Sequence, residues 1–233
     1  MTLANGELQF FNTIKDECDI IFDVGCREDI DYILAHPEAE YHLFEPNPQF
    51  IFNITQKIPL NDTNIRINPF GLGKETKTIK YYPDSQSFIK RTVDFQSNID
   101  LAIELPMKNF AEYIAENNID KIDFLKIDTE GNEPDILFYN IAFIKNHVKF
   151  VQFEYASTWL DRTDDFRIHD VFNTYNDKFK FYVLYDNSHP FSQIHSNVLT
   201  HFETDQLNNI EQYMKNSYGF NIIMIQKENK NNE

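Results

Sequence analysis

The chain has 233 residues, 42% hydrophobic and 15% aromatic, which suits one domain with a real core and excludes a disordered chain. Its formal net charge is −16, and no Lys/Arg cluster is long enough to follow a phosphate backbone, which argues against nucleic acid as a partner. Two cysteines, Cys18 and Cys26, make neither a disulfide framework nor a zinc pattern.

The N-terminal stretch MTLANGELQFF lacks the basic and apolar regions of a signal peptide. No apolar run approaches the ~20 residues that span a bilayer. The expectation is a cytoplasmic protein with two free thiols. Residues 1–18 read as an N-terminal extension of one domain covering 1–233, and 227–233 as a flexible tail.

In chain order, DIIFDVG reads as a buried β-branched strand ending at Gly25. REDIDYILAHP follows as a helix with Ile30, Ile33 and Leu34 on its inner face. EYHLFEP is a strand stopped by Pro46, NPQFIFNITQKI a helix, and NIRINPF a strand broken by Pro69 and Gly71. TKTIKYYPDSQSFI reads as a hairpin insertion and KNFAEYIAENN as a helix. DFLKID is a strand, and after DTEGNEPD comes one helix, ILFYNIAFIKN. VKFVQFEYA, FKFYVLYD and YGFNIIMIQKE are strands, separated by helices in RIHDVFNTYNDK and DQLNNIEQYMKNS. This alternation predicts a Rossmann-like α/β fold: a mainly parallel seven-stranded sheet, helices on both faces and a small β-hairpin insertion.

In such sheets the ligand lies at the carboxyl ends of the strands. The stretch IFDVGCREDIDYIL opens like a nucleotide-binding turn, but Asp29 stands where a second glycine is expected. An acid there repels a pyrophosphate, which argues against NAD or FAD. S-adenosylmethionine (SAM) is cationic and carries no phosphate. Gly25 lets the backbone approach such a ligand, and Asp23 can accept from its ammonium. Glu45, ending HLFE about 20 residues on, stands where an acid bonds ribose hydroxyls. Asp29 can cap the following helix, and Arg27 can offset its charge or meet the ligand's carboxylate. Asp23 and Asp29 can also be read as turn and cap residues only.

The runs IFDVGC, HLFEPNP, NPFGLG, IDFLKIDTEGNEPDIL and VQFEY, with their intervals, resemble the FkbM-type SAM-dependent methyltransferases from about residue 20 to about 155. The resemblance implies a class I methyltransferase fold and O-methylation, often of sugar hydroxyls. By the same resemblance Asp23, Gly25, Glu45 and the adjoining Pro46 are SAM-binding. Phe70, Gly71 and Leu72 lie near adenine, Ser87 sits in a loop approaching the ligand, and Asp128 and Glu130 stand beside the methyl group. The family turn reads Asp-Val-Gly-Ala-Asn-x-Gly. Here Cys26 and Arg27 take the Ala-Asn positions against the cofactor, and Asp29 replaces the last glycine. No resemblance is seen from Ala156 onward, where the acceptor is expected to be chosen.

Transferring a methyl group to a hydroxyl is helped by a base within hydrogen-bond reach. DTEGNEPD is the densest acidic stretch. Asp128 can stabilise the sulfonium end or bind the acceptor. Glu130 can orient the acceptor, act as base or ligate a metal. Glu154 ends its strand on the same side. Together the three offer hard oxygen ligands to a divalent cation. Glu133 reads as a helix N-terminal acid. Tyr155 and Trp159 offer aromatic faces to a sugar, or belong to the core. His169 is the histidine best placed to reach the crevice, while His195 and His201 fall in an acceptor-side loop. The reading is a SAM-dependent O-methyltransferase of a small-molecule or glycan acceptor, with a homo-oligomer compatible. The alternatives are a catalytically silent binding module and an enzyme for a non-sugar acceptor.

Overall fold

The computed structural model describes residues 6–58, 62–92, 96–184, 199–215 and 219–228. In chain order it contains α1 (Glu7–Ile14), β1 (Ile20–Val24), α2 (Asp31–Ala35), β2 (Glu40–Phe44), α3 (Pro48–Lys57) and β3 (Ile65–Asn68). Then come β4 (Gly71–Gly73), β5 (Lys77–Tyr81), β6 (Ile103–Asn109), α4 (Phe110–Glu116), β7 (Ile122–Ile127), α5 (Glu133–Leu137) and α6 (Ile141–His147). The chain closes with β8 (Val148–Tyr155), α7 (Ile168–Tyr175), β9 (Phe179–Leu184), β10 (Leu199–His201), α8 (Leu207–Lys215) and β11 (Phe220–Gln226).

The main sheet runs β10-β9-β11-β8-β7-β1-β2-β3. Strands β3, β2, β1, β7 and β8 are mutually parallel, and β11 inserts antiparallel between β8 and β9. These are the seven strands expected from the sequence, with the short β10 as an eighth at the edge. Strand order turns back between β1 and β7, so their carboxyl ends open a crevice.

The two faces carry two cores. Phe22, Val24, Leu125, Ile127, Val151 and Phe153 face one way, beneath residues of α4 to α8. Ile21, Tyr41, Leu43, Phe124, Phe150 and Ile223 face the other, beneath α1, α2 and α3. The alternation along each strand produces this division. Helix α3 starts where the sequence says: Asn47 Oδ1 accepts from Gln49 N at 2.9 Å, with Pro48 at the first helical position, a cap worth about 1 kcal/mol.

The N-terminal extension includes α1, whose Phe10, Phe11 and Ile14 are core residues. Several expectations are corrected. The helix after β1 is little more than one turn. Tyr32 and Ile33 face inward, and Leu34 is 69% exposed. The helix after β7 is two helices. Asn140 breaks it, with φ −130° and its side chain bonded to Ile136 O. The insertion is a three-stranded sheet, β4-β6-β5. β5 pairs antiparallel with β6, and within the predicted hairpin only Tyr82 and Ser87 bridge. Strand β6 was hidden because Pro106 interrupts it and its last two residues, Lys108 and Asn109, carry the helical pattern of α4. No helix among the described residues is long and apolar enough to cross a membrane.

Candidate functional site

The first turn is built around Gly25. Its φ is +82°, and a Cβ there would lie 1.8 Å from the carbonyl oxygen of Asp128. Only glycine allows the end of β1 to approach the end of β7 this closely. Gly25 N also donates to Phe44 O at 2.9 Å, drawing in β2. Cys26 points inward: its thiol is buried, faces the Phe44 carbonyl and does not line the crevice. Burial pushes its pKa well above the usual thiol range. Arg27, at φ +52°, donates its backbone N–H to Glu45. Asp29 Oδ1 accepts from Asp31 N at 2.8 Å, serving the start of α2 rather than the crevice.

The crevice is a cleft of about 440 Å³, counting its open mouth, in the ~300–1,000 Å³ range of small-ligand sites. Gly25, Arg27, Glu45 and Pro46 form one wall. Phe50, Leu72, Tyr81 and Phe88 supply an apolar lining, with Gly71 and Gln86 beside them. Phe70 packs against the core behind Gly71, and a side chain at Gly71 would strike the Phe88 ring at 2.5 Å. Asp128, Thr129, Glu130 and Asn132 complete the lining. Ser87 is buried outside it. Its Oγ donates to Glu130 O at 2.7 Å and accepts from Ile89 N, tethering the insertion to the turn after β7.

Glu45 is 3% exposed. Its Oε1 accepts from Asn47 N at 2.8 Å and its Oε2 from Arg27 N at 3.0 Å. Burial pushes its pKa up to about 7, against those two amides. Each oxygen keeps a lone pair for a ligand hydroxyl.

Asp128 and Glu130 line the far wall, and Glu154 stands next to them outside the cleft lining. Asp128, Glu130 and Glu154 each bring one carboxylate oxygen within 4.8 Å of the others, a set that can hold a divalent cation. Glu130, at φ +56°, pairs with Arg27 across the cleft. Burial and Asp128 raise its pKa, while Arg27 and Arg91 oppose. Glu154 is pushed further up by burial and by Asp128, Glu130 and Glu133. Its Oε2 is buried with no hydrogen-bond partner among the described residues. Behind the cleft, Asp23 is 4% exposed and lies 3.4 Å from Lys126 Nζ.

Glu133 opens α5, as its place in the sequence suggested, but its carboxylate does more than meet the helix dipole. It accepts from Thr129 N, Thr129 Oγ1, Gly131 N and Trp159 Nε1. It thereby shapes the acidic turn from within. Trp159 and Tyr155 are fully buried. The expectation that they stack on a sugar gives way to the core reading. His169 sits in the first turn of α7 and does not line the cleft. His201, on β10, lies against Tyr182, and His195 falls outside the described residues.

Sequence reasoning missed Phe50, Tyr81, Gln86, Phe88 and Asn132 as lining residues. Phe50 stands four residues after Pro46, one helical turn into α3, which is a usable signal. Tyr81, Gln86 and Phe88 come from the insertion, whose approach to β1 is a long-range event that no local pattern records, and Asn132 stands in the acidic stretch just before α5.

A mainly parallel sheet that reverses at β1 and β7, with an acid-walled cleft at that switch point, defines a Rossmann-like α/β protein with a small-ligand site at its strand ends. The chain belongs to the FkbM methyltransferase family: the family model described as "Methyltransferase FkbM domain" matches residues 28–222. The match runs well past Ala156, where sequence reading saw none, and begins after Gly25. Among solved structures, a methyltransferase FkbM from Methylobacillus flagellatus KT is 14% identical, with a TM-score of 0.48 over 72% of this chain and 40% of that one. A Methanococcus jannaschii fibrillarin pre-rRNA processing protein is 12% identical, with a TM-score of 0.40 over 90% of this chain and 66% of that one. The chain thus spans less than two thirds of either. No curated protein matches it significantly in sequence.

Proposed function

We propose that this methyltransferase takes SAM as donor and methylates a hydroxyl of a sugar or glycan. The observation that carries the reading is Glu45, buried, held by two backbone amides and still offering lone pairs to the cleft. A ribose has two adjacent hydroxyls that such a carboxylate can receive. Phe50, Leu72 and Phe88 suit an adenine. Three acids and one cation, Arg27, line the cleft, which favours a cationic ligand over a pyrophosphate. Asp29 is engaged at α2 and outside the cleft lining, so the lost glycine leaves room for the donor. Arg27 can exchange Glu130 for the donor's carboxylate.

In the transfer, the acceptor oxygen attacks the methyl carbon, the C–S bond breaks and sulfur keeps its electron pair. The acceptor's proton passes to a carboxylate. Glu130, whose pKa burial and Asp128 raise, faces the cleft and suits that base, a contribution of ~10²–10⁴-fold. Glu154, higher still, suits orienting the hydroxyl. The two buried thiols fit a cytoplasmic setting.

Calorimetric titration with SAM tests the donor. Micromolar binding by the parent, lost in Glu45→Ala, is expected. No heat with the parent favours the silent binding module, and an unweakened Glu45→Ala removes the site assignment. A turnover screen over nucleotide sugars, glycans and non-sugar alcohols, with and without EDTA, tests the acceptor and any metal at the three acids.

A further inference from the structure

One face of the sheet changes character along β1, β7, β8 and β11. Ile21, Phe124, Phe150 and Ile223 are its dry part, in the core that includes Phe10, Phe11 and Ile14 of α1. Two residues nearer the cleft stand Asp23, Lys126 and Gln152, with Asn221, which is in register with Glu154, diagonal to Gln152. Asp23 is in register with Lys126, and Lys126 with Gln152. Gln152 Nε2 donates to Asn221 Oδ1 at 3.3 Å, and Asn221 Nδ2 donates to Glu7 Oε1 at 2.8 Å. Tyr32 OH donates to Glu7 Oε2 at 3.4 Å. Glu7, in the first turn of α1, is 1% exposed. Lys126 Nζ lies 3.4 Å from Asp23 and 3.5 Å from Asp128, the acid that lines the cleft.

Burying this many polar and charged groups is costly unless they are paired. The row is paired nearly throughout, and it runs from the cleft wall to a helix that lies outside the family match at 28–222. We infer that the row is a positioning device for the cleft: Lys126 holds Asp23 and Asp128 in place, and Glu7 anchors its far end. For the donor this rests on the proposed function; for the row itself it does not.

The groups facing Lys126 are Asp23 on β1, Asp128 after β7, Glu7 on α1 and the Cys26 thiol. Tyr32 of α2 faces Glu7. Burial opposes the lysine's charge, but Asp23, Asp128 and Glu7 outweigh it and raise its pKa. Asp23 faces Lys126, Asp29 and Asp128. Burial raises its pKa and Lys126 opposes that rise. On the cleft side Asp128 meets Glu130, Glu154 and Arg27. A cation at this distance lowers an acid's pKa by about 1–3 units, so removing it has a readable sign.

Lys126→Met, Asp23→Asn/Lys126→Met and Glu7→Gln test the proposal. In the ligand-free protein, carboxyl ¹³C titration of Asp23 should move up by about one unit or more in Lys126→Met. It should move down in Glu7→Gln, where one competitor for the lysine is gone. The acid limb of SAM affinity should shift upward in Lys126→Met and downward in Glu7→Gln, and the double variant, with no Asp23 carboxyl to titrate, should lose Asp23's part of it. An unmoved Asp23 midpoint, or affinity lost equally at every pH, overturns the inference. If Lys126→Met does not fold, the double variant, which leaves no lone buried charge from that pair, and Glu7→Gln decide. If the parent fails to bind SAM, the donor reading falls while the Asp23 titration still judges the row.

Discussion

The turn after β1 and the turn after β7 each end a central parallel strand. Each carries a non-glycine residue at positive φ, Arg27 at +52° and Glu130 at +56°, and these two side chains pair across the cleft. The first turn is shaped by an absence: no side chain fits at Gly25. The second is shaped by a presence: Glu133 draws Thr129, Gly131 and Trp159 around one carboxylate. A missing side chain is visible in a sequence as glycine. A buried carboxylate gathering distant donors looks like any helix-start acid.

Breaking the first turn should have the largest effect. Gly25→Ala sets a Cβ against a backbone oxygen at 1.8 Å in a left-handed conformation. About 4 kcal/mol or more of destabilisation is expected, a drop in Tm on the order of 10 °C by scanning calorimetry. Glu133→Ala comes next. It strands the Thr129 and Gly131 amides and the Trp159 indole N–H, for about 3 kcal/mol in urea unfolding.

A third test uses pH. Burial pushes both Glu45 and Glu133 from 4.5 up to about 7, so the folded chain holds these protons more tightly than the unfolded one. Their contribution to stability is complete below pH 4.5 and lost as pH rises through 7. Tm should therefore fall between pH 5 and pH 8, and less steeply in Glu133→Gln. Donor affinity should run the opposite way, strengthening as Glu45 ionises; Glu45→Gln should flatten that profile and weaken binding about 10-fold or more. The smallest effect is expected from Ser87→Ala, which cuts the tether to Glu130 O for about 1 kcal/mol and leaves the first turn unchanged.

The seven main strands were legible because each is a short β-branched or aromatic run closed by Gly, Pro or a polar turn. Gly25 and Glu45 were legible as a pair because their spacing is local to one βαβ unit. Strand β6 was not, since Pro106 argues against a strand. Leu34 was misplaced because helical spacing does not tell how soon a helix stops. The apolar lining from Tyr81, Gln86 and Phe88 depends on how an insertion folds back over a distant turn, and the buried contacts of Tyr155 and Trp159 depend on the same long-range packing.

The Asp23–Lys126 pair has a further consequence for how the chain assembles. Apart from this pair and Asp123 at the start of β7, strands β1 and β7 are apolar on both sides, so hydrophobicity alone scarcely distinguishes one alignment from its neighbours. Slippage by a single residue would set Leu125 or Ile127 beside Asp23 and abandon a carboxylate in a dry interior. The ion pair at one end, and Asp123 Oδ2 holding the Asp19 and Ile20 amides at the other, therefore act as two notches that favour a single alignment of the two central strands.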